Sequence, residues 1–402
     1  MTWVSVDFGT KCRGRGRRRA KAGRSRLQLI PLCLAIGLAL AACAPQPLLD
    51  PRLETPPLAL VPAAQAGIVD RRGRFREIFC AVSEDHGIEL PDHRPCEQAL
   101  HRLAGEAAAS RAPVNLGRAR VGLRLAIVPG LAAQCFGERA LPLRYAASHV
   151  EQLGYEVTWI DVDALSSSTR NAAKIRAAIL EMDEIPDRPI VLLGYSKGAS
   201  DVLEASADPT VAARVAAVVS LGGAINGSPL ADQAPEAWLD VLAHMPGLSC
   251  EGGDRGALKS LRRGARLAWL AAQQPSPSIR YYSLVSFAER DQISSVLRPS
   301  YDDLSMIDPR NDGQLLFYDQ TAPRSTLLGY LNADHWAIAM PIVRDVAAAR
   351  LLVDRNAFPR EILLEAILKQ IEEDLITAGR VARSGPMAMR QRHVAPRHLA
   401  SG

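Results

Sequence analysis

The sequence predicts an α/β domain in which a mostly parallel central sheet carries helices on both faces. Two observations predict it. Apolar, β-rich runs alternate with helix-period segments from about residue 121 onward, and Ile190-Val191-Leu192-Leu193 leads through Gly194-Tyr195-Ser196-Lys197-Gly198 straight into a helix-like stretch. Parallel strands joined by helices are covered on both sides, so they read as near-continuous apolar runs. With 402 residues and 48% hydrophobic content, the chain can bury a large core and still carry appendages.

Taken in order, the chain opens on an address. Residues 1–42 hold nine Lys/Arg against Asp7 alone, an excess of +8, so removing them from the net +5 leaves −3. Overall basicity is therefore no argument for a nucleic-acid partner. Lys11 to Arg26 is basic, Leu27 to Ala42 is apolar but too short to span a bilayer as a finished helix, and Leu40-Ala41-Ala42-Cys43 follows. This pattern resembles a bacterial lipobox. The resemblance implies a signal peptide over 1–42, acylation of the Cys43 thiol and a mature chain beginning there. Ala44, in place of an Asp, resembles outer-membrane retention. The expected location is thus the cell envelope, lipid-anchored and facing the periplasm or the exterior, with the membrane as partner through the anchor.

Residues 43–66 carry Pro45, Pro47, Pro51, Pro56, Pro57 and Pro62, which prevent regular helix and predict an extended tether. Over 67–112, Phe75, Ile78, Phe79 and Val82 recur at helix spacing, Pro91 and Pro95 break the pattern, and Ala99, Leu100 and Leu103 resume it, predicting a helical hairpin. The main domain is expected over 113–378. Its strands are predicted at Val121–Val128, Glu156–Asp161, Pro189–Leu193, Val215–Leu221, Ile279–Phe287 and Leu327–Leu331, with helices at Arg139–Leu153 and Thr169–Met182 between them. An insertion over about 231–275 interrupts the rhythm with two helices, around Trp238–Leu242 and Ala257–Ala272. Pro359–Ile376 reads as an amphipathic helix whose Ile362, Leu363, Ile367, Leu368 and Ile371 pack on the sheet. The tail, 379–402, has five Arg, two His and no acid, a composition of disorder.

Of seven cysteines, Cys12 and Cys33 leave with the signal and Cys43 takes lipid, so Cys80, Cys96, Cys135 and Cys250 remain. An even number in an exported chain favours disulfides. Three pairings are open; the preferred one joins Cys80 to Cys96 within one small N-terminal unit and Cys135 to Cys250 between two loops. No close Cys pair and no His at ligand spacing recommends a metal.

The sharpest motif is Gly194–Gly198. A serine between two glycines, after a strand and before a helix, fits a tight turn in which side chains at the glycines would strike the neighbouring strand and helix. The Ser196 hydroxyl is then presented at the positive end of a helix. It is a poor nucleophile until a base takes its proton. Among eight histidines, His335, in Leu331-Asn332-Ala333-Asp334-His335-Trp336, lies in a loop just after the last predicted strand. Two acids compete to orient it. Asp312 stands in Asn311-Asp312-Gly313, a turn able to present a carboxylate, and Asp291 follows the strand ending near Phe287 more directly. Two backbone donors must face the developing oxyanion: Lys197 supplies one amide, and Leu131, after Pro129-Gly130, the other. A Ser–Lys mechanism is disfavoured because adjacent side chains diverge at such a turn.

These residues resemble the lipase-type branch of the α/β-hydrolase superfamily over about 120–345. The likeness lies in the elbow Gly194–Gly198, in Asn311-Asp312-Gly313 with a histidine about two dozen residues later, and in Asn226-Gly227-Ser228-Pro229-Leu230-Ala231-Asp232. It implies an α/β-hydrolase fold, a lid in the 231–275 insertion, and hydrolysis of carboxylic esters or lipids through an acyl-enzyme made by Ser196, His335 and Asp312, without metal or organic cofactor. Acyl transfer on the same fold and a silent envelope scaffold are the alternatives. Tyr195, Lys197 and Pro129 depart from secreted true lipases, which argues against long-chain triglyceride while leaving ester cleavage intact.

Overall fold

In the computed structural model the described residues are 67–244, 250 and 253–379. The expected signal peptide, Cys43, the tether before Gly67 and the basic tail beyond Gly379 lie outside them. Eight strands form one sheet: β1 (Val69–Asp70), β2 (Leu100–His101), β3 (Arg124–Val128), β4 (Glu156–Trp159), β5 (Ile190–Tyr195), β6 (Val215–Leu221), β7 (Arg280–Phe287) and β8 (Thr326–Asn332). Their order is β1-β8-β7-β6-β5-β3-β4, every neighbouring pair parallel, while β2 joins β8 antiparallel.

The strands are apolar on both sides because both sides are covered. In β3, Leu125 and Ile127 enter one core and Ala126 and Val128 the other; in β5, Val191, Leu193 and Tyr195 face the first and Ile190 and Leu192 the second. The period of two in side-chain direction thus feeds two hydrophobic layers rather than a core and a wet face. Helices α1 (Arg72–His86), α2 (Arg144–Gln152) and α8 (Arg360–Thr377) cover the first layer. Helices α3 (Ser168–Glu181) and α4 (Lys197–Ser206) cover the second. Between β6 and β7 the insertion holds a helix at Ala237–Ala243, then α5 (Ala257–Leu261) and α6 (Arg263–Ala272). These last two are split where Arg262 turns extended. Helix α7 (Arg298–Ser305) follows β7.

Three expectations need correction. The stretch 67–112 is not a helical hairpin: beyond α1 it has only a 3-10 turn, Gly87–Glu89, and one α-helical turn, Cys96–Ala99, and it lends β1 and β2 to the edge of the sheet beside β8. Strands of two residues carry no periodic signal, so the sequence shows only the helix. The helix expected from Arg139 starts at Arg144, because Pro142 precedes and Leu143 adopts a left-handed φ of +60°. Finally, α8 is not half-solvated but buried on every side from Arg360 to Glu372, only its last turn reaching the surface. Its carboxylates are matched rather than wet: Glu372 accepts the Arg120 and Val121 amides at 2.5 and 2.7 Å, Glu361 pairs with Arg344, and Asp374 accepts the Tyr282 hydroxyl at 3.0 Å. Among the described residues no helix is long and apolar enough to cross a membrane.

Both preferred disulfides are present, Cys80–Cys96 and Cys135–Cys250. The second closes a sequence separation of 115 residues and ties the turn after β3 to the insertion. Chain entropy assigns a loop of that length roughly 4–5 kcal/mol. The Cys135→Ser/Cys250→Ser double variant should therefore unfold at a clearly lower urea concentration than the wild type, and an unchanged midpoint would show that the crosslink contributes nothing to stability.

Candidate active site

The turn at Gly194–Gly198 is dictated by clearance. A Cβ at Gly194 would stand 2.4 Å from Ala199 Cα, and one at Gly198 would stand 2.3 Å from the Val128 carbonyl oxygen. With both absent, β5 runs directly into α4 and Ser196 takes the strained values φ +57° and ψ −126° between them. Its hydroxyl thereby sits at the helix N-terminus, at the C-terminal end of a central strand. The side chain is half-buried and accessible.

His335 reaches it from the loop after β8. Its Nε2 lies 2.8 Å from Ser196 Oγ, and its Nδ1 lies 2.8 Å from Asp312 Oδ2. The carboxylate on the ring is thus Asp312's; Asp291, the alternative acid, is exposed on the turn Arg290–Gln292. Asp312 is fully buried and His335 nearly so. The Asn-Asp-Gly sequence acts through its own backbone: Gly313 adopts φ +87°, and Asp312 Oδ1 accepts the Gln314 and Leu315 amides at 2.9 and 2.8 Å. A carboxylate so filled on Oδ1 has Oδ2 left for the imidazole.

Groups that sequence reasoning missed hold this chain in place. Ser286 Oγ donates to Asp312 Oδ2 at 2.7 Å, and Gln320 Nε2 reaches the same oxygen at 3.3 Å while its Oε1 accepts the Ser286 amide at 2.7 Å. The Tyr195 hydroxyl donates to the His335 carbonyl at 2.8 Å, and its ring stacks on the imidazole at 5.3 Å. Tyr195 had a visible signal, its place in the elbow; Ser286 and Gln320 had none, being a strand serine and a loop glutamine among many. The Asn226–Asp232 stretch buttresses the acid turn, since Ser228 Oγ donates to the Gln314 carbonyl at 2.8 Å.

The loop that carries the second expected amide comes close to Ser196. A Cβ at Gly130 would stand 2.8 Å from Ser196 Cβ, so the loop carrying Leu131 passes directly over the hydroxyl. The Ser196 amide is taken by Leu221 O and the Ala132 amide by Ala164 O; among the described residues no carbonyl takes those of Leu131 and Lys197. The Lys197 side chain is turned away and buried, its Nζ 2.8 and 2.9 Å from the two oxygens of Asp201. Asp334, beside His335, accepts the Ser294 and Ala337 amides at 2.9 and 2.8 Å instead of entering the site.

One buried neighbour titrates abnormally. Asp319, next to Gln320, is pushed up to about 7 because burial outweighs the Arg263 guanidinium 3.2 Å away, and its Oδ2 has no hydrogen-bond partner. The fold therefore favours the neutral form. This group's contribution to stability is complete below about pH 4, the ordinary carboxylate range, and is lost as pH rises to 7. Asp319→Asn, neutral throughout, should reduce the fall in melting temperature between pH 4 and 7 relative to the wild type, and parallel melting curves over that range would refute the assignment.

A serine at this turn, at this place in a doubly covered parallel sheet, defines an α/β-hydrolase. No protein-family model and no curated protein matches the sequence. Among solved structures, the metagenomic carboxyl esterase MGS0156 is 45% identical over 80% of this chain and 97% of its own, with a TM-score of 0.76. The mature Bacillus licheniformis lipase BlEst2 is 23% identical over 60% of this chain and 96% of its own, at a TM-score of 0.44. The Staphylococcus hyicus lipase is 14% identical over 65% and 99%, at 0.48. The chain belongs to the α/β-hydrolases, in the family of that metagenomic carboxyl esterase.

Proposed function

We propose that this protein is a serine carboxyl-ester hydrolase of the cell envelope. The observation that carries the reading is the unbroken chain from Ser196 Oγ through His335 to Asp312, both links 2.8 Å, at a serine held in a strained turn. The 45% identical relative is a carboxyl esterase, which supports it. His335 Nε2 takes the Ser196 proton as Oγ attacks the ester carbonyl, and Asp312 holds the ring in the tautomer with Nδ1–H and stabilises its charged form. The Leu131 and Lys197 amides receive the oxyanion. His335 then returns the proton to the leaving alcohol, and water repeats the sequence on the acyl-enzyme, releasing acid and free Ser196. A silent scaffold gives no reason for the serine to be engaged by a histidine already backed by a buried carboxylate.

Hydrolysis of p-nitrophenyl esters from short to long acyl chains by residues 44–402, beside Ser196→Ala, tests this reading. We expect at least about a 10³-fold loss in the variant, given what removal of such a nucleophile costs. The wild-type chain-length optimum separates esterase from lipase preference. Equal rates in two folded proteins would sink Ser196 as nucleophile.

Envelope anchoring through Cys43 is part of the same proposal. It is supported by the basic run, the apolar segment and Leu40-Ala41-Ala42-Cys43, and two disulfides suit an oxidising compartment. Mass spectrometry of the protein from bacterial membranes should find an N-terminal peptide starting at an acylated Cys43. An N-terminus elsewhere, or an unmodified Cys43, would remove the anchor from the proposal.

A further inference from the structure

Away from Ser196, three helices bring together two imidazoles and a carboxylate that ester cleavage does not use. His86 ends α1, His149 lies on α2 and Glu365 on the buried α8. Both imidazoles place Nε2 on the same oxygen, Glu365 Oε2, at 2.9 Å from His86 and 2.8 Å from His149. The three donor atoms lie within 4.8 Å of one another. The rings are tilted by 47° with centroids 5.3 Å apart, so they approach the oxygen from different directions. Glu365 is fully buried, whereas the His86 and His149 side chains are 22% and 15% exposed, which opens the cluster to solvent on the imidazole side.

Two histidines and one glutamate form the donor set of open zinc sites, in which water fills the fourth position. Tetrahedral zinc bonds of about 2.0–2.1 Å separate the donors by roughly 3.3 Å. Each imidazole-to-carboxylate contact is about half an ångström short of that spacing. An outer partner is also in place: His86 Nδ1 lies 3.1 Å from Asp85 Oδ2, a contact that would hold the Nδ1 proton once an ion had displaced the one on Nε2. The other oxygen, Glu365 Oε1, has no hydrogen-bond partner and faces Lys369 Nζ at 3.6 Å. That ammonium repels a dication and makes the site weaker than a closed structural zinc site. Local spacing in the sequence shows no such donor set, because His86 and His149 stand 279 and 216 residues from Glu365.

We propose that His86, His149 and Glu365 form a site for a divalent transition-metal ion, zinc by its donor set, which fastens α1, α2 and α8 together outside the catalytic centre. The ion takes the place of the protons that the two Nε2 atoms otherwise direct at Glu365, and water completes its coordination. The test uses the full chain, stripped with a chelator, then titrated with Zn2+ and, as a spectroscopic probe, Co2+. One ion per chain, the visible bands of tetrahedral Co2+ and a melting temperature that rises with Zn2+ are expected. His86→Gln and His149→Gln should each abolish the bands and the rise while keeping the wild-type circular dichroism. No Zn2+ held by the wild type, or equal binding in both variants, would overturn the proposal. If either variant fails to fold, Asp85→Asn at its exposed position replaces it. It should weaken Zn2+ by roughly 10–100-fold, as loss of an outer partner does, and unchanged affinity counts against the site.

Discussion

The strained backbone of Ser196 is the constraint around which the rest of the site is arranged. A non-glycine residue at φ +57° carries a cost on the order of 1–3 kcal/mol and persists only where the surroundings over-determine it. Here they do. The Ser196 amide is fixed to Leu221 O at 3.2 Å, and its carbonyl accepts the Ala199 and Ala224 amides, both at 3.1 Å. Three segments, the end of β6, the loop after it and the first turn of α4, therefore meet on one residue. Glycines at 130, 194, 198 and 223 let backbone approach where side chains would collide, a Cβ at Gly223 standing 2.3 Å from Ala199 Cβ. The geometry that exposes the hydroxyl thus also fixes where the β3 loop and its amides run.

The acid end is held differently, by hydrogen bonds rather than by clearance. Asp312 is buried with every lone-pair direction addressed: two backbone amides on Oδ1, and His335, Ser286 and Gln320 on Oδ2. Such a network is stiff when complete and costly when one member is lost, because the remaining groups are then buried without partners. It also links elements far apart in sequence. Ser286 is the penultimate residue of β7, Gln320 precedes β8, and Ser228 supports the turn from the loop after β6. Misplacement of any of these three would reach His335 through the carboxylate and through the Asp312 carbonyl, which accepts the His335 amide at 2.9 Å.

This difference in what holds each part explains what the sequence could disclose. Strands such as Val215–Leu221 are self-announcing, because burial on both faces forces an unbroken apolar run. The elbow is legible for the same reason: glycine is demanded by local sterics, and local sterics leave a local signature. The two-residue strands β1 and β2 are not, since their pairing with β8 decides them. Nor is α8, whose Glu365, Glu372 and Asp374 read as a solvated face until their partners from other helices and strands are seen. Ser286 and Gln320 belong to this second kind, residues of ordinary type given a role by tertiary contact.

The insertion brings these threads together. It is expected as a lid, yet Cys135–Cys250 fastens it to the turn after β3, and Leu131, Ala132, Leu239, Ala257 and Leu258 pack into one apolar cluster across the same junction. The loop carrying the Leu131 amide cannot then be positioned independently of the insertion. Exposed Phe136 and Trp238, beside Cys135 and Leu239 in the chain, give that junction an apolar outer face. Two donors aimed at an oxyanion act best when they do not have to reorganise during the reaction. The covalent and hydrophobic junction therefore holds the loop after β3 and the part of the insertion around Cys250 as one unit.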